Sequence, residues 1–216
     1  MKRNASSVSV IGGADGPTLF FILNNRKLTA RQRITRIKSK IKKFYTKKTL
    51  KCEPHSLDEV MDYIVDRYGF EKVSCDSCDY EEEKEQLRVS SIVRYAPKLL
   101  EEYAENSKLM SESREDVEAF FKYNEERIKR ASEIPSAVFD IDFHKFKKIF
   151  KGTNDYMDVI IEKRFVNIGG GAVGSKKVIN EYNKIYKDIY RYYGVTEEDI
   201  RTESDRYKEL LGVLSQ

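Results

Sequence analysis

The sequence predicts an α+β protein, with a mostly helical body, a small antiparallel sheet and a separate N-terminal arm. Three observations carry this. Apolar residues recur at helical spacing along most of the chain. One stretch, about residues 138–168, alternates with a period of two around a Gly/Asn/Asp turn. The charge also changes sign near residue 51. Residues 1–51 hold 14 Lys/Arg and one acid, whereas residues 52–216 hold 26 bases and 35 acids. The organisation expected is an arm over 1–50 and an acidic globular domain over 51–216.

Composition sets the outer limits. The chain is 40% hydrophobic and 35% charged, with 14 Tyr and 11 Phe but no Trp. That is apolar mass for one core under a highly charged surface. The run Leu19–Leu23 is far shorter than the roughly 20 residues that cross a bilayer, so an integral membrane protein is not expected. Lys2 and Arg3 precede a mildly apolar segment, but Asp15 interrupts it and a heavily basic stretch follows. Export is therefore not expected, and the predicted location is the cytoplasm. Three cysteines do not suggest a disulfide framework.

In the arm, Val8–Ile11 and Thr18–Leu23 read as short strands around a Gly/Pro turn. From Leu28 to Lys48, Ile34, Ile37, Ile41 and Phe44 recur every three or four residues among Arg and Lys, which predicts a basic amphipathic helix. A joint containing Pro54 follows. Ser56-x-x-Glu59 is a capping box that opens a helix closed by Gly69. A short strand is expected within Phe70–Ser74. A helix over 79–105 should be interrupted near Pro97, and another should run from Ser113-x-x-Asp116 to about Ser132. Strands are expected at about Val138–Ile149 and Tyr156–Ile168, joined at Gly152–Asp155. A glycine-rich turn then leads into a long helix with an apolar stripe from Val178 to Tyr193. Gly194 ends it, Thr196-x-x-Asp199 opens a short turn, and a last helix reaches about Leu214.

Several groups of residues have the makings of sites. Cys52, His55, Cys75 and Cys78 form C-x2-H-x19-C-x2-C, a spacing that suits tetrahedral zinc, so zinc is a possible cofactor. The alternative, and the reading preferred, is unrelated surface or core thiols. Gly169, Gly170, Gly171 and Gly174, with Ser175 and Lys176, lie between a strand and a helix, where backbone N–H groups can cradle an anion. The alternative is a flexible turn with Ser175 as N-cap. Asp140, Asp142 and His144 share one strand face, with Asp158 and Glu162 on the next strand. That cluster suits a divalent metal and hydrolysis, or is the polar side of a half-exposed sheet. Between Arg26 and Lys51 there are 12 Lys/Arg and no acid. This segment suits nucleic acid or an anionic membrane surface, or docks on the acidic body of the same chain.

The segment Ser7–Thr18 resembles a signature of the β subunit of sodium-ion-translocating decarboxylases. The match runs through Gly13, Ala14, Asp15, Gly16, Pro17 and Thr18. The resemblance implies a sodium- or proton-binding role for Asp15 within a membrane. Glycines would let carbonyls converge on the ion while Asp and Thr oxygens complete its shell. It covers about 16 residues of 216, and the apolar spans of that family have no counterpart here. The whole chain also looks like a group of small soluble bacterial proteins that share this N-terminus. The reading that follows is a non-enzymatic binding or accessory protein, with a protein partner at its N-terminal arm and a polyanion at residues 26–51. The alternative is a metal-dependent hydrolase using Asp140, Asp142 and His144.

Overall fold

The computed structural model describes residues 29–100 and 114–216, with side chains described outside 114–120. The signature Gly13–Thr18 and the strands expected at 8–11 and 18–23 lie outside the described residues. Among those described, seven α-helices accompany one four-stranded antiparallel sheet in the order β1-β2-β3-β4. The predicted fold class, mostly helical α+β, is the one observed.

In chain order, α1 spans Ala30–Thr49 and α2 Leu57–Tyr68. The two-residue strand β1 (Glu71–Lys72) follows. Then come α3 (Cys78–Tyr95), a 3-10 turn over Pro97–Leu100 and α4 (Arg114–Glu133). Strands β2 (Phe143–Ile149), β3 (Tyr156–Glu162) and β4 (Asn167–Val173) form the rest of the sheet. The chain closes with α5 (Lys176–Tyr193), α6 (Glu197–Thr202) and α7 (Asp205–Leu214). Helix starts follow their caps. Thr29, Ser56 and Thr196 each make a reciprocal capping box, with Gln32, Glu59 and Asp199. Ser175 caps α5 through the Val178 N–H.

The chain divides into two compact units. One takes the described residues of Val73–Lys145 and Val159–Gly170; the other takes those of Ile22–Lys72, Phe146–Asp158 and Gly171–Gln216. In the first, Tyr80, Leu87, Val89 and Ile92 of α3 share a core with Phe139, Ile141, Phe143 and Ile160. Two cations are buried there in matched company. Arg88 forks onto Glu85 and donates to the Phe139 carbonyl. Lys145 lies 2.7 Å from Glu83. In the second unit, α2 and α7 both pack on α5. They bury Val60 and Ile64 of α2, Ile185, Ile189 and Tyr193 of α5, and Tyr207, Leu210 and Leu211 of α7.

The sheet differs from expectation in two places. The strand expected from Val138 begins only at Phe143, although Phe139 and Ile141 are buried on the alternation predicted. Side chains take the backbone groups that a ladder would use: the Ile141 N–H donates to Asp140, the Asp142 N–H to Glu162, and Arg164 donates to the Asp140 carbonyl. The second strand ends at Glu162, and Gly169–Val173, expected as a turn, instead completes β4. The reversal is made by a four-residue turn over 163–166, with Val166 at φ 58°.

Gly194 closes α5 at φ 56°, ψ −161°, a region open only to glycine. A Cβ there would collide with the Glu53 carbonyl oxygen. Gly69 also has positive φ, at 67°, but has open space around it. We expect Gly194→Ala to cost about 3 kcal/mol or more and Gly69→Ala about 1 kcal/mol. Urea denaturation of the two variants checks the ranking; equal losses would refute the close approach.

Candidate functional site

Helix α1 is the element whose arrangement is least like that of a structural helix. Its 20 residues include nine Lys/Arg and no acid, and none of them is buried. At about 100° per residue, Phe44, Ile37, Ile41 and Ile34 fall on one stripe about 80° wide, with Tyr45 at its edge. These four are 55%, 56%, 52% and 53% exposed.

The helix is held instead by the opposite face of its last turns. Thr46 and Leu50 are half-buried there, and α1 packs on α7. Lys47 Nζ lies 3.1 Å from Glu203 Oε1 and 5.8 Å from the centre of the Tyr207 ring. Lys47 is raised in pKa, first by its hydrogen bond to Glu203. Glu203 is lowered by the same bond, with Lys208 and Lys43 adding to it. An amphipathic helix normally turns its apolar stripe to the core; this one is mounted by its polar side.

The base of the mount is built around Arg206. Its guanidinium donates to the Gly194, His55 and Tyr193 carbonyls and stacks 3.7 Å from the centre of the Tyr193 ring. The His55 N–H donates to the Tyr193 carbonyl, which ties the joint after α1 to the end of α5. Beside it, α5 adds cations: Lys187 is lowered in pKa by burial and then by Lys42 of α1 and Arg191. Such like-charge crowding favours a bound anion. Sequence reasoning missed Lys187 and Arg191. The signal was present, because Lys184, Lys187 and Arg191 recur at i, i+3 and i+7 on the face of α5 away from its apolar stripe.

The predicted carboxylate cluster is largely absorbed by the fold. His144 Nε2 lies 2.9 Å from Asp142 Oδ1, but not aligned as a hydrogen bond. Asp140 pairs instead with Lys84 at 3.0 Å. Burial works to raise its pKa, but the Ile141 N–H, Lys84 and Arg88 bring it below the usual range. Asp158 accepts from the Gly171 N–H. Glu162 is 1% exposed and accepts the N–H groups of Asp142, Arg164 and Phe165 at 3.2, 2.8 and 2.7 Å. Its work is to hold a turn.

The glycine run likewise gives its N–H groups to the chain's own acids. Gly171 donates to Asp158 and Ser175 to Asp155 at 3.5 Å, and the Asp155 side chain lies against Gly174. Gly169 and Gly170 are strand residues, and Lys176 is the first residue of α5. Cys52 and His55 belong to one compact unit, Cys75 and Cys78 to the other, and all three thiols are free and exposed. The His55 ring stacks 3.9 Å from Tyr192, and its Nδ1 lies 2.6 Å from the Tyr192 carbonyl oxygen. Cys78 Sγ donates to Glu82, which raises the thiol's pKa. Among the described residues, no group of three or more His, Cys, Asp or Glu is placed to hold a metal ion.

No protein-family model matches the chain, and no curated protein or solved structure is significantly similar to it.

Behind the cationic face, Asp188 fastens α5 to α2. It accepts hydrogen bonds of 2.6 Å from Tyr63 and Tyr68, and Arg67 lies 3.7 Å away. Burial acts to raise its pKa, but the two phenols, Arg67 and Arg191 hold it below the ordinary carboxylate value. A depressed carboxylate adds stability that is full above its unfolded pKa of about 3.9 and is lost as pH falls through the lower folded value. We expect Asp188→Asn to lose about 1 kcal/mol at neutral pH. The gap to the wild type should close on acidification to about pH 2. Urea titrations across pH measure it, and a gap that does not narrow would refute this role for the charge.

Proposed function

We propose that this chain is a cytoplasmic, non-enzymatic binding protein that docks on a polyanionic partner through α1. One observation carries the reading. The helix is fixed at its C-terminal turns by its polar side, leaving a run of uncompensated bases and a bare apolar stripe facing outward. Positive charge at this density attracts a polyanion strongly at low ionic strength. Lys187 and Arg191 extend the same positive field onto α5. The segment Gly13–Thr18 precedes the helix in the chain. Its resemblance to a decarboxylase β-subunit signature supports a protein contact by the same arm.

The test is retention on immobilised heparin. The wild type should bind and elute with rising salt. Lys38→Glu, Lys40→Glu and Lys42→Glu together should weaken binding by at least about tenfold at low salt. The slope of log affinity against log salt should fall by about one for each contact removed. Those three side chains are exposed, so circular dichroism and melting temperature should be unchanged. Retention that is insensitive to salt, or equal in the triple variant, would overturn the proposal.

A further inference from the structure

The polyanion that fits α1 best is one whose surface is also apolar. A nucleic acid presents phosphates to Lys and Arg but offers a stripe of Ile and Phe only scattered apolar contacts at base edges. On the helix circumference, Arg31, Lys38 and Lys42 border the stripe on one side, and Arg33 and Lys40 border it on the other. Bases on both flanks of an apolar stripe let the side-chain stems run along hydrocarbon while the charges reach outward to headgroups. The stripe from Ile34 to Phe44 is about 15 Å long, and the face opposite it is the one fixed to α7. Among the described residues of its unit, the packing partner of α1 is α7, and Ile34, Ile37, Ile41 and Phe44 stay exposed along its length. No described helix is long and apolar enough to cross a membrane, so the contact is with the surface.

From this we infer that α1 lies in the plane of an anionic lipid surface. Ile34, Ile37, Ile41 and Phe44 enter the acyl boundary while the flanking bases meet lipid phosphates and carboxylates. The inference rests on α1 being the anion-binding element and names which anion it meets.

The full chain would be sedimented with vesicles of phosphatidylcholine alone and of phosphatidylcholine with about one-third phosphatidylserine. Binding is expected to the anionic vesicles and to fall at least tenfold on the neutral ones. Ile37→Ser with Ile41→Ser should weaken vesicle binding tenfold or more while leaving heparin retention as in the wild type. Both positions are exposed, so the fold is not at stake. The sequence has no tryptophan, so Phe44→Trp places a single indole in the stripe. Its emission should shift to the blue with anionic vesicles and stay unchanged with duplex DNA.

The possible failures separate cleanly. Retention on heparin or DNA without vesicle binding, or vesicle binding that ignores the Ile→Ser pair, overturns the lipid inference and leaves the polyanion reading standing. A chain that binds none of these overturns both. An indole that stays water-exposed on sedimenting vesicles overturns insertion of the stripe.

Discussion

One guanidinium holds together the base on which α1 is mounted. The end of α5 leaves carbonyls without intrahelical partners, as every helix end does. Arg206 from α7 collects two of them together with the carbonyl of His55 in the joint after α1. A planar fork suits this task, because it reaches three acceptors at once while its face stacks on Tyr193. The joint can lie so close to α5 because residue 194 has no side chain. The placement of α1 on α7 therefore rests on this anchored joint as well as on Lys47.

Much of this was legible in the sequence, and the legible parts were local. Ser56 with Glu59, Thr196 with Asp199, Ser175 and the glycines at 69 and 194 mark helix ends within a few residues, because a cap is a short-range hydrogen bond. The strand alternation at Phe139, Ile141 and Phe143 correctly gave the buried face. It did not give where pairing starts, since that depends on Glu162, twenty residues on, taking the Asp142 N–H. Glu162 looked like one acid of a catalytic set. Its burial on three N–H donors is a long-range outcome that periodicity does not encode.

The basic helix shows the same division. Its period and charge could be read directly, but the direction in which its stripe faces could not. Amphipathicity alone argues that an apolar stripe points inward. What reverses it is pairing of the polar side, Lys47 with Glu203 and the Tyr207 ring, which only the fold brings within reach. The cations of α5 were overlooked for a related reason. Its tyrosine and isoleucine stripe dominates the pattern, and the opposite face gains significance only once Lys42 stands beside Lys187.

The last strand of the sheet has a bearing on handling the protein. An outer strand offers unpaired amide groups to any chain that comes alongside, and proteins blunt such borders in various ways. The border at β1 is two residues long, too short to serve as a template. At the other border, β4 carries Gly170 at φ 138°, a backbone state outside the extended range of other residues. That residue lies in the middle of the strand, where a glycine weakens an edge as a template. A run of three glycines on an outer strand thus gives a chain alongside it no side chains to pack against, and a β-branched residue at Gly170 would supply one.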